Sequence, residues 1–593
     1  MDLGSRYEAR VILETKAMRG ILRPIAIGVL IGLFMGFVDS YGYAVSGYTV
    51  AEIDLVVVPV IARLLLGRTA DPREIFIATV TAFGISFSTV ITSGMLITYY
   101  LTSKIYWIFY RESNFPAWLY SGTQTCLPNI FGCEWPYTYL ALASLSLVGV
   151  GFAYILRHVF LDKLNLPYPL GIASAMITQI VSLLRTKRTI AIAIIIGIAI
   201  QMILILSPPT PLDLTPIFTS TGYGILLSLS FDLPIFLIAL LLPPRVSISI
   251  GGGSIVTGLA LLPIGASLYL YRVSPGASSD SLITSASWYL ASIVFGTVFP
   301  LMLLVVRSIR APLSHTTRAI IESRRTRFLL AMLLLGLILI LMLAYLRSGA
   351  PGSSFILFGL ILMLIIVPLL IIITSWGAGE AGTVSQAFYP TSTVYMYLAG
   401  YRGFAPYVYM DHYLGIPMPS SLSASSLNIL RASRILGISP AFILSIFSLS
   451  FLIGSLITIY YGYLLINIYG NNPERMPLDR WIPYTLWSLS VYRGELDPRS
   501  IFPGAVIGVL VMILLMIIDR LTGRSFSPIP FIIGLTLTTD LGMLFILGSF
   551  LRWFVSKFGG GVEKQLMIIA SSLLAGAGIA IAIYTVFNAI GSI

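Results

Sequence analysis

Charge is what this chain has least of. Lys, Arg, Asp and Glu make up 10% of its 593 residues, against roughly 25% in an ordinary soluble domain. Hydrophobic residues make up 57%, and the mean hydropathy is +0.93. The class expected is an all-α polytopic integral membrane protein. Histidine is scarce too: His158, His315 and His412 are scattered, and Cys126 and Cys133 are the two cysteines. That inventory excludes a metal centre and gives no reason to expect a cofactor. No catalytic Ser or Cys motif, His-x-x-His pair or paired-Asp motif is present. Gly251-Gly252-Gly253-Ser254 has no following Lys and so is not a phosphate loop. The expectation is therefore not an enzyme. A membrane enzyme acting on lipid-linked substrates would need a carboxylate or His cluster in one loop. A passive channel would need a continuous polar stripe on several helices. The net charge of +12 comes without an aromatic-interleaved basic stripe, so no nucleic-acid partner is expected. The first 20 residues are polar and basic, and the first apolar run is long enough to stay in a membrane, so no cleavable signal is expected.

The cations that are present fall at the ends of apolar runs, as the positive-inside rule requires. Apolar spans are expected over Pro24–Val38, Ala51–Leu66, Ile75–Leu101, Tyr137–Ile155, Ile190–Leu206, Tyr223–Leu242 and Leu282–Val306, with a Gly-broken segment at Ser247–Leu268. A second set covers Phe328–Tyr345, Phe355–Thr374, Ala441–Ile466, Ile501–Ile518, Pro530–Val555 and Gln565–Phe587. Trp376–Pro440 is broken, and Trp481–Tyr492 is aromatic and amphipathic. At roughly 20 apolar residues per span, this makes about 14 to 16 transmembrane segments in two similar halves. The organisation expected is a cytoplasmic N-terminal segment over 1–20, a first half over 21–309, a basic cytoplasmic linker over 310–327 and a second half over 328–593. The loop between Lys104 and Pro136 belongs outside, where Cys126 and Cys133 are expected to form a disulfide.

The stretch around which the rest is organised is Leu166-Pro167-Tyr168-Pro169-Leu170-Gly171-Ile172-Ala173-Ser174-Ala175. Two prolines break the chain, and the small residues after them leave the backbone uncovered. Basic residues on both sides favour a re-entrant segment. A Pro-initiated half-helix aims free N–H groups and a positive dipole end forward, which is how transporters build substrate sites. The pattern recurs at Pro417-Met418-Pro419, followed by Ser420 and Ser421, and at Pro528-Ile529-Pro530. Paired interruptions in corresponding positions of two halves are the best sequence pointer to such a site. The substrate-contacting candidates are Pro167, Tyr168, Pro169, Gly171, Ala173, Ser174, Ser420 and Ser421. Gly252 and Gly253 join them, with close helix packing as their alternative role.

Ionisable groups inside a span are costly and mark function by default. Glu380, in Gly377-Ala378-Gly379-Glu380-Ala381-Gly382, Asp232 and Asp540 are the proton-coupling candidates. A carboxylate taken out of water holds its proton more tightly, which a proton-coupled carrier needs. The alternative for each is pairing with Arg or capping a half-helix. Asp411-His412 follows an aromatic run.

Pro169-x-Gly171-x-Ala173-x-Ala175 resembles the Pro-Ser-Gly-Thr-Ala-x-Ala motif of the oligopeptide transporter superfamily. Pro528–Thr538 looks like that family's late Pro-x-x-Pro-x-x-x-Gly-Leu segment, one residue shorter between the prolines. Gly251–Gly258 looks like its Gly-rich midpoint of the first half. The resemblance covers most of the chain and implies a secondary carrier in the cell membrane. The family's usual mode is proton-driven uptake of short peptides or metal chelates. Partners implied are the solute, a coupling proton, membrane lipid and a second copy of the chain. The Asn-Pro-Gly motif of the fungal and plant peptide carriers is absent. An abundance of Arg over Lys, with much Ile, points to a hyperthermophilic, archaeal member.

Overall fold

The computed structural model describes residues 3–590 apart from 47–52, 68, 112–114, 120–129, 183–187, 323, 350–351, 383–385, 473–475, 477, 479–480, 497–500 and 524–525. Within these residues the regular structure is helical, save one antiparallel pair in which Leu212 faces Leu229 and Asp213 faces Ser228. Twelve helices among the described residues are long and apolar enough to cross a membrane. Shorter or more polar helices fill in the rest: Asp54–Leu66, Pro169–Ser182, Leu233–Leu241, Pro419–Leu436 and Pro528–Leu535. The all-α polytopic class stands. Pro169–Ser182 is about 21 Å long at 1.5 Å per residue, short of a bilayer core of about 30 Å.

The helices of the first 309 residues pack both among themselves and against helices of the second part. Pro72–Phe87 lies against Leu3–Ser46 and Pro440–Tyr469; Arg188–Leu206 lies against Gly560–Ile590; Ser279–Glu322 lies against Ile501–Leu521. Pro244–Val256 lies against Pro528–Leu535 and Thr539–Ser556. Lipid tails are as apolar as leucine, so helices in a membrane associate through close packing of small residues. That is what the crossings show. A Cβ on Gly454 would come 2.6 Å from the Ile85 Cα, and one on Gly576 would come 2.2 Å from the Ile194 carbonyl. The basic stretch expected as a linker lies on helical backbone, in Ser279–Glu322 and Arg324–Arg347.

Two expectations are corrected. Tyr223–Leu242 is not a span: only Leu233–Leu241 is helical, and residues 223–232 are largely extended. Asp232 caps that helix by accepting from the Ile235 N–H at 2.8 Å, Pro234 sits in its first turn, and Pro243 and Pro244 follow its end. The cap and prolines outweigh apolarity alone. Asp540 is likewise not inside a continuous helix. The chain breaks at Thr536–Thr538, and Asp540 falls in the first turn of Thr539–Ser556, where the dipole favours a negative charge. By contrast Trp376–Pro440 is broken as expected, into Pro390–Leu398, Phe404–Met410 and the start of Pro419–Leu436.

Candidate functional site

The Pro-Tyr-Pro stretch forms a buried clamp. Tyr168 takes a left-handed φ of 48°, an uncommon conformation for a non-glycine residue that only a determining environment sustains. That environment is the end of Val367–Ala381: the Tyr168 N–H donates to the Gly379 carbonyl at 2.8 Å and its hydroxyl to the Ser375 carbonyl at 2.9 Å. Asn428 completes the clamp. Its Oδ1 accepts from the Gly171 N–H and its Nδ2 donates to the Gly382 carbonyl, both at 3.1 Å. Gly171 has no room for a side chain, since a Cβ there would lie 2.3 Å from the Asn428 carbonyl oxygen. Thus the two Pro-x-Pro half-helices, Pro169–Ser182 and Pro419–Leu436, meet directly. Ser174 is fully buried, and its Oγ has no partner among the described residues.

The remaining small-residue candidates are also packed. A Cβ on Gly253 would stand 2.1 Å from the Phe531 carbonyl oxygen, whereas Gly252 has only the Phe526 and Phe531 rings at 3.7 Å. The Ser420 hydroxyl bonds His412 Nδ1 at 2.8 Å, and Ser421 bonds the Tyr389 hydroxyl at 2.5 Å. Asp411, fully buried, accepts from the Ser392 and Thr393 hydroxyls and from the Tyr413 N–H.

Glu380 stands in the last turn of Val367–Ala381, just before Gly382 turns the chain at φ 83°. A carboxylate cannot cap that end, where the free groups are carbonyls. It is held by two neutral donors instead, the Trp376 indole N–H at 3.0 Å and the Ser527 hydroxyl, and it is buried. The Ser527 N–H in turn donates to Ser249 Oγ at 2.9 Å. Asp540 accepts from the Ser230 hydroxyl and lies in the field of Asp232.

Between these groups lies a cavity of about 640 Å³, mid-range for sites that enclose drug-sized ligands. Its walls come from both parts of the chain, with Ile235, Ser287 and Leu290 on one side and Tyr413, Tyr484, Trp487 and Phe545 on the other. Ala381, next to Glu380, and Leu541, next to Asp540, reach it. None of the ten residues expected to contact substrate lines it. Pro167, Pro169 and Ala173 border a separate pocket of about 120 Å³ together with Arg552. The hydroxyls of Ser287, Tyr413 and Tyr484 and the Gln386 amide make no hydrogen bond to the described residues. Sequence reasoning missed these residues because apolar wall, core and lipid-facing positions share one composition. The only signal was the aromatic stretch Trp481–Tyr492.

Cys133 is disulfide-bonded, and Cys126 lies outside the described residues.

Interleaved broken helices, buried carboxylates held by neutral donors and a half-open internal cavity are those of a polytopic membrane protein with a solute-sized site. The family model for the OPT oligopeptide transporter protein matches residues 115–588. The chain therefore belongs to the oligopeptide transporter family and is a membrane transporter of oligopeptides. No curated protein matches it.

Proposed function

We propose that the chain is a secondary active carrier of the cell membrane, not an enzyme, which takes up short peptides or peptide-like solutes, metal chelates among them, by proton symport. The observation that carries this reading is the 640 Å³ cavity between the two parts of the chain, walled by apolar side chains and by neutral polar groups of Ser287, Gln386, Tyr413, Tyr484 and Trp487 that have no hydrogen-bond partner among the described residues. A peptide offers amide donors and acceptors at short intervals, and such groups fix its orientation while apolar walls desolvate its side chains. Glu380 carries the coupling proton: it is buried one residue behind the wall and is held by groups that bond either of its protonation states. Asp540, with Asp232 beside it, is the second carboxylate on the route. The clamp of Tyr168, Gly171 and Asn428 holds the two half-helices that frame the pathway, and Ser174, Gly252, Ser420 and Ser421 serve that frame.

The test is uptake of a labelled tripeptide into proteoliposomes with and without an inward proton gradient. Accumulation above the external concentration that depends on the gradient is expected. Equilibration at the same level with and without the gradient would show facilitated diffusion instead.

A further inference from the structure

The walls of the cavity carry no formal charge. Every lining residue is apolar, aromatic, or a neutral Ser, Thr or Gln. The charges just behind the walls are acidic at three separate points. Glu380 precedes the lining residue Ala381, Asp540 precedes Leu541, and Asp411 accepts from the N–H of Tyr413. The described partners of Asp411 and Asp540 are hydroxyls and a backbone N–H, not cations. Arg245 is within electrostatic reach of Glu380, but its side chain is exposed and outside the lining. On the wall itself, Tyr413 stands edge-on to Trp487 with ring centroids 5.1 Å apart, and Tyr484 lies 6.4 Å from Tyr413. Aromatic faces attract cations and repel anions.

An anionic solute entering this space would leave water, meet no positive partner and approach three carboxylates. A buried charge without a partner is strongly disfavoured. An ammonium meets aromatic faces and the acidic field instead. We propose, resting on the reading of this cavity as the solute site, that it selects short peptides with apolar or aromatic side chains and no net negative charge, and rejects anionic ones. Anionic metal chelates are rejected with them.

One side-chain set in three charge states tests this: Leu-Tyr-Leu as the C-terminal amide, as the free zwitterion and as the N-acetylated acid. Binding is read from tryptophan fluorescence of the purified protein in nanodiscs, where no membrane potential acts on net charge. The amide and zwitterion are expected to bind at least about tenfold tighter than the acetylated acid, a difference of about 1.4 kcal/mol. Equal or tighter binding of the acetylated acid overturns the proposal. Ser287→Lys places a cation on the wall and is expected to raise the acetylated acid relative to the amide; an unchanged ratio overturns the proposal as well. Ala291→Trp separates the two levels of inference, because Ala291 lines the cavity and the new ring fills it. Loss of binding for all three peptides, in a protein that still elutes as a single species, places the solute there. Undiminished binding to that variant removes the cavity as the site, and the charge selection assigned to it falls as well.

Discussion

Glu380 and Asn428 are both buried polar residues beside Gly382, and they do opposite things. Glu380 ends a helix at the end where a negative charge gains nothing from the dipole, and its partners are neutral. In Glu380→Gln the amide oxygen still accepts from Trp376, and the Ser527 hydroxyl turns to accept from the new NH₂ group. The fold and solute binding are expected to persist while gradient-driven accumulation disappears; full accumulation by this variant would remove Glu380 from the coupling role. Asn428 instead joins the Gly171 N–H to the Gly382 carbonyl. Asn428→Ala leaves both groups buried without partners, at a cost of about 1–3 kcal/mol each, so a clear drop in thermal unfolding temperature is expected. Asn428→Asp keeps the acceptor for Gly171 and, in its protonated form, a donor for the Gly382 carbonyl, so it is expected to lose less at low pH than at high pH. Glu380 was legible in the sequence because an acidic residue among glycines in an apolar run has few reasons to be there. Asn428 was not, since one polar residue in a serine-rich helix carries no sign of its two distant partners. The span expected over Tyr223–Leu242 misled for a definite reason: its apolar content outweighed Asp232-Leu-Pro234, a helix start in plain view, while capping a half-helix, the alternative role for Asp232, is what the structure shows.

Among the elements, the crossing of Pro244–Val256 over Pro528–Leu535 is the tightest fit near the cavity. A Cβ on Gly534 would lie 1.9 Å from the Ile250 carbonyl oxygen, and Ile250 and Ile533 both line the cavity. Gly534→Ala is expected to push the two helices apart, with an overpacking loss of about 1–3 kcal/mol and weaker solute binding. Wild-type affinity in that variant would show that the crossing does not shape the walls. The connection ahead of Leu233–Leu241 is expected to respond to pH. Partial burial works against the charge of Asp213, but the backbone N–H of Ser279 and the backbone and side chain of Thr215 outweigh it and hold its carboxyl below the ordinary value. A depressed carboxylate contributes fully above the ordinary aspartate pKa of about 3.9 and loses that contribution as pH falls through its own lower value. Hydrogen exchange over residues 207–232 is expected to quicken below about pH 4, and Asp213→Asn is expected to flatten that response. Helix existence was readable here from apolar length. The breaks were readable only where proline marked them; the break at Thr536–Thr538, which carries no proline, was not.

At the scale of the whole molecule, the class and the family were both legible, the first from scarce charge and long apolar runs, the second from the Pro-Gly-Ala-Ala spacing. The position of the cavity was not, because it is made by helices that are hundreds of residues apart in the chain. That interleaving governs the order of manufacture. A ribosome delivers the chain from the N-terminus, yet Arg188–Leu206 meets its main neighbour, Gly560–Ile590, only after residues 207–559 have been made. Helices with glycine-lined flanks must wait in the bilayer for partners not yet made, exposed to quality-control proteases. Residues 1–309 expressed alone are expected to be degraded, and co-expression with 328–593 is expected to raise their level, as measured by immunoblot. Equal abundance with and without the second fragment would mean that the first part settles before its partners arrive.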